Sequence, residues 1–84
     1  MKLTFHEQAW EDYLHWQGAD RKMLGRVNLL IKDCLRTPFE GLGKPEPLRE
    51  NLSGWWSRRI DQEHRLVHRV DGENLVIAQC RYHC

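Results

Sequence analysis

The stretch Asn74-Leu75-Val76-Ile77-Ala78-Gln79-Cys80-Arg81-Tyr82-His83-Cys84 decides how the rest of the chain is read. It reads as one strand, apolar on both faces from Leu75 to Ala78. Period-two geometry puts Leu75, Ile77, Gln79, Arg81 and His83 on one side, and Val76, Ala78, Cys80 and Tyr82 on the other. A strand apolar on both faces belongs inside a sheet and is covered on both sides. Its final residues are therefore expected to be held on a rigid support, where a histidine could be positioned for chemistry.

Working back from that strand, Asp71-Gly72 is a hairpin signal, and His64 to Val70 reads as the preceding strand. Asp61-Gln62-Glu63 turns the chain again, and Gly54 to Ile60 is a third strand. The three form a meander. Upstream, Thr37 to Asn51 is a loop of fifteen residues with three prolines and two glycines. A loop of that length in a small domain is usually functional or disordered. Gly41-Leu42-Gly43-Lys44 lacks the spacing of a phosphate loop, whereas Pro45 and Pro47 pin the backbone on either side of Glu46.

The first half reads as helical. Lys2 to Phe5 alternates and is expected to be an edge strand. Glu7 to Gln17 is expected to be a helix with Trp10, Tyr13 and Leu14 on its apolar face, ended by Gly18. Asp20 caps a second helix. Its stripe is Met23, Val27, Leu30, Ile31 and Cys34, with Asp33 among the outward residues, and Thr37-Pro38 stops it. Two helices in a hairpin followed by strands, with no alternation of strand and helix, give an α+β class: an antiparallel sheet with two N-terminal helices on one face, in the order βααβββ.

Eighty-four residues, 40% of them hydrophobic, fit a single domain over residues 1–84 with one small core. No apolar run approaches the roughly 18 residues that span a bilayer. The start, Met-Lys-Leu-Thr-Phe-His-Glu, has no apolar leader core, and the expected location is the cytoplasm. Cys34, Cys80 and Cys84 are odd in number and lack metal-ligand spacing, so neither a disulfide framework nor a metal site is expected. Net charge is +1, but six of the seven basic residues after Gly43 are arginine, the side chain suited to bidentate phosphate contact.

A three-residue turn at Asp61 to Glu63 would set Arg59 opposite Arg65. Like charges across a ladder are destabilising and commonly persist around a bound anion; two solvated arginines, or pairing to Asp61 and Glu63, fit the spacing equally well. Trp55 and Trp56 suit core and sheet packing more readily than base stacking, and His64 and His68 read as partly buried packing residues. A carboxylate, a histidine and one or two arginines are enough to cleave RNA without a metal. The base takes a ribose 2′-hydroxyl proton, the acid protonates the departing 5′-oxygen, and guanidinium groups neutralise the phosphoryl oxygens.

Lys44-Pro-Glu-Pro-Leu48, Asn51-Leu-Ser-Gly54, Trp56-Ser-Arg-Arg-Ile60, Glu63-His-Arg-Leu-Val67 and Cys80-Arg-Tyr-His83 together resemble the YoeB toxins of the RelE superfamily. So do the Met-Lys-Leu start and Thr37-Pro-Phe-Glu-Gly41. The resemblance implies a microbial-ribonuclease fold and the toxin of a type II toxin–antitoxin pair, a ribosome-dependent endoribonuclease that cuts messenger in the A site. By position it makes Glu46 the general base, His83 the general acid and Arg65 the transition-state arginine. Substrate or phosphate contacts fall to Arg59, Arg49, Lys44, Arg81 and Cys84. No cofactor is implied. The implied partners are a YefM-like antitoxin, the ribosome and messenger, with operator DNA reached only through the antitoxin and a homodimer left open. A non-catalytic antitoxin-binding module that tunes operon repression is the alternative. Two positions depart from the family pattern. Arg49 stands where lysine is common, and Cys84 replaces a terminal tyrosine that could stack on a base or orient phosphate.

Overall fold

The computed structural model describes residues 1–82. Strand β1 (Lys2–Phe5) leads into helix α1 (Glu7–Ala19), then helix α2 (Arg21–Arg36) and the long loop. Strands β2 (Glu46–Pro47), β3 (Trp56–Arg59), β4 (Arg65–Asp71) and β5 (Asn74–Gln79) complete the chain. They form one five-stranded sheet in the order β1-β5-β4-β3-β2.

The α+β architecture is the expected one, with two differences in the sheet. β1 runs parallel to β5, pairing Leu3 with Leu75 and Phe5 with Ile77, so the sheet is mixed rather than wholly antiparallel. The loop also contributes a two-residue strand, β2, on the far edge. Pro47 has no N–H to offer, and an edge is the place in a sheet where that is tolerated.

Asp20 is the hinge of the helical hairpin. Its backbone N–H donates to Trp16 O and closes α1, while its Oδ1 accepts the N–H groups of Lys22 and Met23 at 3.1 Å each and opens α2. α1 thus runs through Gly18, the expected terminator, and stops where Asp20 turns extended.

The apolar face of α1 is also not the expected one. Ala9, Asp12 and Trp16 are buried, whereas Trp10 and Leu14 are 49% and 43% exposed. Two polar contacts rotate the helix this way. Trp16 Nε1 donates to Cys80 O at 2.8 Å, and Asp12 Oδ2 accepts from Cys80 N at 3.0 Å. Trp10 instead stacks on Tyr13, their ring centroids 5.9 Å apart. α2 follows its stripe: Val27, Leu30, Ile31 and Cys34 are buried against Leu66, Leu75 and Ile77, each aliphatic contributing about 1.5–3 kcal/mol.

The expected outward position of Asp33 is wrong, and the reason is Arg58. Arg58 is fully buried on the helix-facing side of β3. Its Nη1 donates to Asp33 Oδ2 at 2.7 Å and to Leu42 O at 3.1 Å. Its Nη2 donates to Thr37 O at 2.6 Å and Glu40 O at 2.8 Å. His68, also fully buried, meets Pro38 O through Nε2 at 2.9 Å. The loop is thereby fastened to α2 and to two strands. Burial keeps the Cys34 thiol protonated, pushed up to about 11, and the Cys80 thiol pushed up to about 12.

Two outcomes follow from this network. Arg58→Met removes the guanidinium donor from Asp33 and from the carbonyls of Thr37, Glu40 and Leu42, and unfolding free energy should fall by about 3–5 kcal/mol in urea titrations. Acid should also destabilise the fold in two separate windows. Hydrogen bonds from Leu42 N–H, Arg58 and Arg36 hold the Asp33 carboxyl well below its ordinary value of 3.8. Its stabilisation is therefore complete above that value and drains as pH falls through it. Burial pushes the His68 imidazole below its ordinary 6.5, so stability is also lost as pH drops below that range. Urea midpoints from pH 8 to pH 3 should show both losses; Asp33→Asn should be destabilised at neutral pH and lack the lower-pH loss.

Candidate active site

The ladder between β3 and β4 sets Arg59 directly opposite Arg65. Ser57 pairs with Val67 in the same ladder, and Glu46 of β2 pairs with Ser57. Partners across a ladder share a face, and so do residues two apart on a strand. Glu46, Ser57, Val67, Arg59 and Arg65 therefore all lie on the face turned away from the helices, in two neighbouring rows. Ladder spacing separates the Cα atoms of Glu46 and Arg65 by on the order of 10 Å, a span that long side chains can close around one phosphodiester.

Backbone contacts place Arg59 and the loop that carries Glu46. Arg59 N donates to Gly43 O at 2.6 Å. Gly43 has φ +79°, and a Cβ there would lie 2.9 Å from Arg59 O. Only glycine allows the loop this close to β3 in that conformation. Glu46 follows three residues later, exposed, and Leu48 N donates to Trp55 O at 2.9 Å just beyond it. Lys44 and Arg49 are exposed on the loop to either side of β2.

The arginines differ in freedom. Arg59 is exposed. Arg65 is half-buried, its Nη1 donating to Asp61 O at 3.0 Å and more weakly to His64 O at 3.4 Å. Among the described residues, neither Arg59, Arg65 nor Glu46 has an ion-pair partner within 4.0 Å, whereas Arg36, Arg58 and Arg69 do. Asp61 Oδ1 instead accepts the N–H groups of Glu63 and His64, at 2.8 and 2.7 Å, and so shapes the turn.

The carboxy-terminal segment leaves the sheet early. Ladder pairing passes from His68–Ile77 to Val67–Gln79, so Ala78 has no opposite residue. That bulge inverts the alternation. Gln79 joins the row of Val67 and Ser57, not the face of Ile77, and β5 ends there. Arg81 accordingly does not continue a strand. Its guanidinium lies 4.7 Å from the centroid of the Tyr82 ring, with Nη2 donating to the hydroxyl at 3.1 Å. Tyr82 O accepts from Arg65 N at 2.8 Å, which brings the segment against the arginine pair. His83 and Cys84 lie outside the described residues.

Glu46, Arg59 and Arg65 are thus brought to one face, flanked by Lys44 and Arg49. Three further residues that hold this arrangement escaped the sequence reading: Arg58, Asp12 and His64. Arg58 carried a signal, since alternation from Arg59 puts it on the core side, where a guanidinium requires a buried acceptor. Among the described residues, no cluster of three His, Cys, Asp or Glu could hold a metal ion. No described helix is long and apolar enough to cross a membrane.

Comparison with known proteins gives the family of the chain. Residues 5–84 match the family described as the YoeB-like toxin of bacterial type II toxin–antitoxin systems. The toxin YoeB of Escherichia coli K12 is 60% identical over 83 residues, covering 99% of each chain. A YoeB/ParE toxin structure from Agrobacterium tumefaciens superposes with a TM-score of 0.98 at 50% identity, covering 100% of both chains. The Staphylococcus aureus YoeB dimer and the heterotetrameric YoeB–YefM complex from the same organism give 0.92 and 0.91, both at 48% identity, covering 100% of this chain and 98% of theirs. The chain belongs to the YoeB-like toxins of bacterial type II toxin–antitoxin systems.

Proposed function

We propose that this toxin is a ribosome-dependent endoribonuclease that cleaves messenger in the A site by attack of a ribose 2′-hydroxyl on the adjacent phosphorus. The observation that carries the reading is the Arg59–Arg65 pair, set like against like across a ladder on the same face as Glu46. Two guanidinium groups with no carboxylate partner among the described residues suit a dianionic phosphorane, whose charge exceeds that of the ground state.

In this reading Glu46 takes the 2′-hydroxyl proton as general base. Arg65, already oriented by the turn carbonyls, and Arg59 neutralise the phosphoryl oxygens. His83, assigned from its place in the sequence, protonates the 5′-oxygen. Lys44 and Arg49 flank the backbone of the messenger, and Arg81 and Cys84 complete the substrate contacts. The side chains alone supply this chemistry, and the products are a 2′,3′-cyclic phosphate or 3′-phosphate and a 5′-hydroxyl. A YefM-like antitoxin is the partner, since the S. aureus relative is described in complex with YefM. A segment of it that folds on binding would cover the arginine-bearing face, and operator DNA would be met only through it. The S. aureus YoeB dimer supports self-association as well.

Primer extension on messenger in a translating lysate tests the reading. The wild-type chain should leave A-site cuts, and Glu46→Gln should reduce their rate by about 10²–10⁴-fold. A folded wild-type chain that binds antitoxin but leaves no cuts would overturn the reading in favour of a non-catalytic binding module.

A further inference from the structure

The residues after β5 have no strand partner, yet their backbone is held at both ends. Cys80 is gripped by α1, its N–H donating to Asp12 Oδ2 and its carbonyl accepting from Trp16 Nε1, and its thiol lies 3.6 Å from Ala9 O. Tyr82 is gripped by the start of β4, its carbonyl accepting from Arg65 N and its N–H donating to His64 Nδ1 at 2.7 Å. Tyr82 has φ +61°, a left-handed conformation that a tyrosine rarely adopts unaided. The carbonyl bond to Arg65 is main chain to main chain. The bond to His64 is the one contact on Tyr82 N–H that a side chain supplies.

His64 is built for that contact. It is buried, its ring edge-on to Trp16 with centroids 4.8 Å apart and tilted against the Tyr82 ring at 5.2 Å. Because Nδ1 accepts, the ring hydrogen is on Nε2, which faces Glu63 Oε1 at 3.6 Å. Asp61 fixes the His64 backbone from the other side. A packing histidine does not need its acceptor nitrogen aimed at an amide eighteen positions away in the sequence.

We propose that His64 is a positioning residue for the reaction: its Nδ1 holds the Tyr82 amide and so sets the path of the terminal segment against Arg65. The inference rests on the cleavage reading above, in which the residue after Tyr82 is the general acid. A misplaced acid leaves substrate binding intact and slows the chemical step. Asparagine can offer Oδ1 where histidine offers Nδ1, whereas leucine keeps the bulk and offers no acceptor.

The experiment is single-turnover cleavage on programmed ribosomes as a function of toxin concentration, paired with amide exchange at Tyr82 in the free protein. His64→Leu should lower the saturating rate by about 10–100-fold with the half-saturating concentration unchanged. It should also speed Tyr82 exchange by about tenfold, the worth of one hydrogen bond. His64→Asn should restore most of the rate and the protection. Equal rates in wild type and a folded His64→Leu variant, or His64→Asn as slow as His64→Leu, would overturn the assignment. If wild type does not cleave, the cleavage reading fails, and exchange alone decides whether His64 holds the segment: equal exchange in all three proteins means that it does not.

Discussion

The guanidinium of Arg58 is the group on which the working face depends. It is fully buried, and its terminal nitrogens bind one carboxylate and three loop carbonyls. Taking such a charge out of water is expensive, and a buried ion pair is often no more stable than an apolar replacement of its size. Here the replacement would not be equivalent. The segment from Thr37 to Leu42 has no regular structure, and three of its carbonyls would lose the guanidinium donor. Arg58 does for this loop what a neighbouring strand does for a strand. Some polar capacity is still left over, since Arg58 Nε and His68 Nδ1 are buried without a partner among the described residues.

That anchoring connects the core to the candidate site through two adjacent residues. Arg58 faces the helices and fixes the loop. Arg59, one position on, faces the other way and receives Gly43 O on its backbone N–H. The pleat therefore divides one dipeptide between the core and the candidate site. The helix-facing side of β3 and β4 is sealed by Arg58, Leu66 and His68, while the opposite side carries two like charges with no ion-pair partner among the described residues. Like charges placed across a ladder are a cost to the sheet, and the backbone around them is pinned from elsewhere.

How much of this was legible follows from what each residue depends on. Asp20, the α2 stripe and the Arg59–Arg65 register could be read because a cap, a helical period and a short turn are local. The apolar run that marked the centre of β5 is local too. The face of α1 was misread because Asp12 and Trp16 point inward for the sake of Cys80, sixty-eight and sixty-four positions away. β2 was missed because two residues show no period; β1 was expected as an edge strand, but its parallel pairing was not, because its partner lies at the other end of the chain. Within the site, the sequence could name Glu46 and the arginines. It could not name what holds them, since those contacts join loop to sheet and tail to helix.

The segment beyond β5 shows the same preference for backbone over side chain. The groups that α1 and β4 hold there are the N–H and carbonyl of Cys80 and the N–H and carbonyl of Tyr82. Main-chain groups are present whatever the side chain. Within those bonds, the path of the chain is set by Asp12, Trp16, His64 and Arg65, and it does not depend on Arg81 or on the tyrosine hydroxyl. Residues presented by such a segment can vary in type while their support is unchanged.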